Sequence, residues 1–119
     1  MIKESEVQSR IRSILDRLGF KTYRNNTGAW KHSSGRWISY GLCEGSSDII
    51  AFKKIKIKES MVGKNLALFC AIETKRPKKS TTTSKQKEFI KDVEKAGGFA
   101  CIVSSESELE KYLIENDFV

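Results

Sequence analysis

The feature that most constrains this chain is a run of seven residues, Leu66-Ala67-Leu68-Phe69-Cys70-Ala71-Ile72, with no charged or amide side chain, followed at once by Glu73-Thr74-Lys75. Apolar residues at every position suit a strand covered on both faces, because a strand wet on one side alternates. The run therefore predicts a central strand with layers of other elements over it. A second run begins Asp48-Ile49-Ile50-Ala51-Phe52 and continues as Lys53-Lys54-Ile55-Lys56-Ile57-Lys58, whose Lys/Ile alternation suits a half-exposed strand. Between the two runs, residues 59–65 are polar, contain Gly63 and read as a turn. Strands joined by a tight turn are antiparallel, and the midpoint between Asp48 and Glu73 falls between Ser60 and Met61, inside that turn. The expected hairpin sets the two carboxylates side by side. Lys75, two residues past Glu73, points to the same face as Glu73.

The remaining elements follow from periodicity and punctuation. Val7, Ile11, Ile14, Leu15 and Leu18 form one apolar stripe, predicting a helix over 4–18 that Gly19 stops. Residues 20–24 alternate as a short strand, and 25–35 are polar with Asn25-Asn26-Thr27-Gly28 as a turn signal, hence a loop. A further short strand is expected at 36–40. Thr81-Thr82-Thr83-Ser84 opens a helix that carries Phe89, Ile90 and Val93 and ends at Gly97-Gly98. Residues 99–103 read as a buried strand. Ser105 with Glu108 offers a capping box for a last helix burying Leu109, Tyr112 and Leu113. The order α-β-(β)-β-β-α-β-α predicts an α/β fold, a mixed central sheet flanked by helices. With 119 residues and neither repeat nor linker, 1–119 reads as a single domain.

Composition narrows the function. Twenty-two Lys and Arg against fifteen Asp and Glu give a formal charge of +7, most simply explained by a polyanionic partner such as nucleic acid, with a basic surface kept for solubility as the plainer reading. One Pro, eight Gly and 39% hydrophobic residues exclude a collagen-like, low-complexity or disordered chain. No apolar run nears the roughly 18 residues of a membrane span, and the first residues carry no signal-peptide core, so no membrane partner and a cytoplasmic location are expected. The three cysteines form no CxxC; Cys70 and Cys101, in apolar runs, read as buried reduced thiols.

Two neighbouring carboxylates repel unless a cation sits between them. One or two carboxylates, with water and phosphate oxygens, describe a Mg²⁺ site, and a lysine beside it can hold or deprotonate an attacking water and steady a phosphorane. Asp48, Glu73 and Lys75 thus suit phosphodiester hydrolysis. They suit equally a salt-bridged strand end, with Lys75 neutralising Glu73. On the first helix Glu4 and Gln8 lie one turn apart on or beside the apolar stripe, where a carboxylate wants a partner, while Glu6 points away. The plainer account is that Glu4 and Glu6 favour the helix N-terminus. Gln86 stands either as the N3 residue of the box Thr83-Ser84-Lys85-Gln86 or as a site residue.

Arg24-Asn25-Asn26-Thr27-Gly28, then Tyr40-Gly41-Leu42-Cys43-Glu44-Gly45-Ser46-Ser47-Asp48, then Glu73-Thr74-Lys75 and Gln86 resemble the VRR-NUC (virus-type replication-repair nuclease) family of the PD-(D/E)xK superfamily. The resemblance runs from Glu4 to about Val103 and departs in having Ser47 where the superfamily's name implies proline. It implies a restriction-endonuclease-like three-layer sandwich and a metal-dependent endodeoxyribonuclease. Asp48, Glu73, the Thr74 carbonyl and Glu4 or Gln8 would hold Mg²⁺, with Mn²⁺ expected to substitute. Lys75 would be the catalytic lysine and Gln86 the helix-borne glutamine. Stand-alone phage members look like Holliday-junction resolvases, so it also implies a homodimer acting on branched DNA in replication, recombination or repair.

For the DNA path, Arg76, Lys78, Lys79 and Lys85 beside the catalytic strand are candidates, as are Arg24, Asn26, Lys31, Arg36 and Ser46 in and around the polar loops. Trp30 and Trp37 read as stacking residues at a branch point or as core or dimer-interface packing; lone His32 is assigned no role. Lys53, Lys54, Lys56 and Lys58 suit a solvated strand edge. A non-catalytic nucleic-acid-binding module, with its hairpin charges structural, is the alternative; an RNA-directed nuclease on the same fold is a third reading.

Overall fold

The computed structural model describes residues 2–76 and 81–118. It is mixed α/β, with three helices and three two-stranded sheets among those residues, one parallel and two antiparallel. Among the described residues no helix is long and apolar enough to cross a membrane. The chain divides into two compact units, Met1–Lys53 and Lys54–Val119.

The first unit opens with helix α1, Glu4–Arg17. It ends as its sequence requires: Gly19 adopts φ +89°, its N–H reaches the Asp16 carbonyl (3.1 Å) and the Phe20 N–H reaches that of Leu15 (3.0 Å), a Schellman closure that a Cβ at Gly19 would strain. The face it half-buries differs from the expected one. Gln8, Arg12 and Leu15 are half-buried, whereas Val7, Ile11, Ile14 and Leu18 stay 42–57% exposed. The reason is polar. Arg12 donates through Nε to Thr22 Oγ1 (3.1 Å) and through Nη2 to the Thr22 carbonyl (3.3 Å), and the Thr22 hydroxyl donates to Asp16 (3.2 Å). These bonds turn the Gln8–Arg12–Asp16 side of the helix to strand β1, Lys21–Arg24.

β1 pairs antiparallel with β4, Ile49–Phe52, in the register Lys21↔Phe52 to Arg24↔Ile49. Phe52 is buried, its ring 6.0 Å from that of Tyr23. Strands β2, Gly28–Lys31, and β3, Trp37–Tyr40, form a hairpin where the sequence reading places a loop over 25–35. Its closure is local: the His32 N–H meets the Arg36 carbonyl (2.7 Å), the Gly35 N–H meets the His32 carbonyl (2.9 Å), and Gly35 sits at φ +89°. Ser33-Ser34-Gly35 between two Trp-bearing runs is a hairpin signal that the polar count of the segment hides.

The second unit starts with the expected turn, a 3₁₀ turn at Glu59–Met61. Strand β5, Cys70–Thr74, runs parallel to β6, Phe99–Val103, with Glu73 opposite Ile102. Helix α2, Ser84–Lys95, connects them and helix α3, Glu106–Glu115, follows. The core lies here. Phe99, Cys101 and Val103 are buried against Leu109 and Leu113 of α3, and Val93 of α2 is fully enclosed. Gly98 permits this: a Cβ there would lie 2.7 Å from both the Phe69 carbonyl oxygen and Val93 Cγ1. α3 is capped by Ser105, which accepts the Glu108 N–H (3.2 Å), while Glu108 returns its carboxylate to the Ser104 N–H (2.8 Å), one residue earlier than a reciprocal box requires.

Several strand expectations are corrected. The two strands expected to pair with each other take other partners, β4 with β1 and β5 with β6. Residues 53–58 and 66–69 lie outside the strands, so Ile55, Ile57, Leu66 and Leu68 are exposed rather than laddered. β5 is not covered on both faces: Ala71, Glu73 and Lys75 are half-buried, while Cys70, Ile72 and Thr74 are exposed. Tyr112 is 38% exposed where burial was expected. Apolar composition sets a preference for burial, but a pair of strands supplies too little surface to cover every apolar residue beside it.

Candidate active site

Alternation along β5, carried one residue past its end where the Lys75 N–H still meets the Val103 carbonyl (2.9 Å), places Glu73 and Lys75 on one face, and the first turn of α2 brings Gln86 to them. Gln86 Nε2 donates to Glu73 Oε1 (2.9 Å), Lys75 Nζ donates to Gln86 Oε1 (2.9 Å), and Lys75 Nζ lies 3.5 Å from Glu73 Oε1. The three side chains close a ring of donors and acceptors. The capping reading of Gln86 holds: its Oε1 also accepts the Thr83 N–H (3.0 Å), and Thr83 Oγ1 accepts the Gln86 N–H (3.1 Å), a complete capping box built with the same side chain. The cap therefore fixes the glutamine that orients both charges.

Burial makes the ring matter. The Lys75 side chain is 15% exposed and that of Glu73 34% exposed. An ammonium that far from water needs charge-compensating acceptors, and here Gln86 and Glu73 supply them. Chemically, the cluster offers a held carboxylate and a positioned ammonium at the end of a strand, with the backbone of exposed Thr74 between them. Glu73 and the Thr74 carbonyl are hard oxygen donors of the type Mg²⁺ takes. Among the described residues no three His, Cys, Asp or Glu side chains gather into a group that could hold a metal; Mg²⁺ commonly uses one or two carboxylates and completes its shell with water.

In the first unit, Asp48 directly precedes β4 and is exposed, and its carbonyl accepts the Asn25 N–H (2.7 Å). Asn25 is a residue whose role sequence reasoning missed. Its Nδ2 donates to Ser46 Oγ (2.7 Å) and the Ser47 carbonyl (2.9 Å), and its Oδ1 accepts the Leu42 N–H (2.9 Å). Ser46 Oγ in turn donates to the Cys43 carbonyl (2.7 Å). Asn25 thus staples the 42–47 loop that delivers Asp48. Gly41 is needed in the same place, at φ +88° with the Asn26 carbonyl oxygen 2.5 Å from where its Cβ would be. The Asn25 side chain bonds residues 17 to 22 positions away, and neither its turn signal nor its place in the family motif points to those partners.

Of the first-helix candidates, Glu4 and Glu6 are exposed and Gln8 is half-buried. Gln8 lines a groove of about 290 Å³ with Ser5, Arg12 and Arg24, and its Oε1 is buried without a hydrogen-bond partner among the described residues. Arg12 was not singled out from sequence. Of the candidate DNA contacts, Ser46 is engaged inside its loop, Arg24 lines that groove, and Lys31 and Arg36 stand exposed on the hairpin. Asn26, Arg76 and Lys85 are exposed, and Lys78 and Lys79 lie outside the described residues. Cys101 is buried and its thiol is held above the ordinary range by desolvation first and by the neighbouring Cys70 second; Cys43 and Cys70 are exposed, the latter against expectation.

Compared with known protein families, curated proteins and solved structures, the chain matches none.

Proposed function

We propose that this protein is a metal-dependent, structure-selective endodeoxyribonuclease of VRR-NUC type that hydrolyses phosphodiester bonds in branched DNA as a homodimer, on a restriction-endonuclease-like three-layer sandwich. The observation that carries the reading is the Glu73–Gln86–Lys75 ring: the family resemblance names Glu73 and Lys75 on one short segment and Gln86 on the next helix, and the glutamine bonds both charges. Glu73 and the Thr74 carbonyl would hold Mg²⁺ or Mn²⁺, and the family resemblance alone adds Asp48 as second carboxylate and Glu4 or Gln8 as the first-helix residue. A bound Mg²⁺ supplies charge to polarise the phosphodiester and stabilise the leaving oxygen. Lys75, oriented by Gln86, holds the attacking water through an N–H and counters charge on the pentavalent phosphorus. Gln86 keeps the Glu73 carboxylate turned and the ammonium in place. The basic charge of +7 would serve phosphate contacts through Arg24, Lys31, Arg36, Arg76, Lys78, Lys79 and Lys85, with Asn26 and Ser46 as uncharged polar contacts.

A second reading has its own support. The ring satisfies itself and shares Gln86 with a helix cap, as a structural strand end would. On that reading the protein is a non-catalytic nucleic-acid-binding module. The two separate on one experiment: a labelled four-way junction incubated with Mg²⁺ or with chelator. The nuclease reading expects Mg²⁺-dependent cuts that Glu73→Ala and Lys75→Ala abolish. Salt-sensitive binding with no cleavage would leave the binding module, and variants that cut as well as wild type would remove Glu73 and Lys75 from the chemistry.

A further inference from the structure

The β2–β3 hairpin carries aromatic surface that neither the core nor the proposed catalytic cluster uses. Its register pairs Gly28 with Tyr40 and Trp30 with Ile38, so Trp30 and Tyr40 share one face, and Lys31 with Trp37 occupies the other. Trp30 is 50% exposed and Tyr40 51%. Gly28 is what lets Tyr40 lie across the strand: a Cβ there would fall on its hydroxyl and ring. At the turn end the His32 ring stands 5.8 Å from that of Trp30, tilted by 49°. His32 Nδ1 accepts the Ser34 N–H (3.1 Å), which holds the ring at the turn.

An exposed row of rings invites a partner, and charge selects which. Residues 17–43 contain five basic residues, Arg17, Lys21, Arg24, Lys31 and Arg36, and no Asp or Glu. An acid-free basic segment bearing exposed aromatics matches a strand of unpaired nucleotides, whose phosphates meet the cations while bases stack on rings. Trp30 and Tyr40 are diagonal neighbours across the ladder, a separation of roughly 7–8 Å and about twice the ~3.4 Å rise per nucleotide of a stacked strand. A paired duplex shows its base faces only at its ends, so such a platform favours single-stranded or branch-point nucleotides. We propose that the Tyr40–Trp30–His32 face is a base-stacking platform for unpaired nucleotides. The inference rests on the nucleic-acid part of the proposed function and on none of its chemistry.

The chain has two tryptophans, one on each face, so fluorescence reads the faces separately. Trp37→Phe leaves Trp30 as sole indole, and a short oligothymidylate should quench its emission, less so at higher salt; Trp30→Phe, reporting from Trp37, should show little quenching. In binding assays Trp30→Ala should weaken oligothymidylate affinity roughly ten-fold, with Trp30→Phe retaining most of it. Trp30→Ala binding as wild type would overturn the inference. So would Trp30 emission that shifts with protein concentration alone, which would assign the face to a second copy of the chain. Quenching without junction cleavage would keep this inference and remove the hydrolytic reading; cleavage without quenching would do the reverse.

Discussion

Gln86 does two jobs with one side chain, and single substitutions can separate them. Thr83→Ala removes the hydroxyl of the cap but leaves Gln86 able to reach Glu73 and Lys75. It should lower stability by about 1 kcal/mol in denaturant titration and leave the cluster's chemistry largely intact. Gln86→Ala should cost a similar stability and, on the proposed mechanism, also lower junction cleavage, because the ammonium loses its nearest acceptor. Asn25→Ala should destabilise by about 1–2 kcal/mol, since the 42–47 loop loses its staple. Cys101 gives a pH signature with a definite sign. Its folded thiol titrates above the ordinary range, so in the window between the unfolded and folded values the unfolded chain gives up a proton that the fold keeps. Stability should therefore fall as pH rises through that window, and Cys101→Val should lack that part of the slope. Thiol titration of the native protein should find Cys43 and Cys70 fast and Cys101 slow.

At the scale of elements, Val93 is the measure of how α2 is seated. It is fully enclosed and pressed on Gly98, so Val93→Ala should cost roughly 2 kcal/mol, read as a lower denaturation midpoint with an unchanged slope. Much of this unit was legible because its signals are local: the Thr83/Gln86 box, the Gly97-Gly98 stop, the buried 99–103 run and the Ser105 cap each act within a few residues. What was not legible is what depends on partners. Strand pairing is a choice among edges far apart in sequence, so an apolar run at 66–72 announced burial without saying that only 70–74 would be laddered, to β6. Likewise α1 carries a clean apolar stripe, yet Arg12 and Asp16 bond Thr22 and turn a polar side to β1, a preference that no periodicity count contains. Half of the β2–β3 hairpin was hidden for the opposite reason: β3 falls on the strand expected at 36–40, but β2 lies in a segment polar enough to read as loop, and turn geometry rather than hydrophobicity defines the pair.

For the whole molecule, the account joins a basic chain to a carboxylate–glutamine–lysine ring. The motif residues Glu73, Lys75 and Gln86 share one hydrogen-bonded ring, and the same glutamine closes the cap of α2. Asp48→Asn and Lys75→Ala should each reduce Mg²⁺-dependent junction cleavage on the order of a hundred-fold or more, with DNA binding retained. The central claim is that Glu73 binds a divalent cation, and anomalous diffraction from crystals soaked in Mn²⁺ at a concentration that supports cleavage tests it most directly. The account predicts a manganese peak about 2.1 Å from a Glu73 carboxylate oxygen, lost in Glu73→Gln. Crystals of active protein with no peak at Glu73, or with the same peak in the variant, would contradict it.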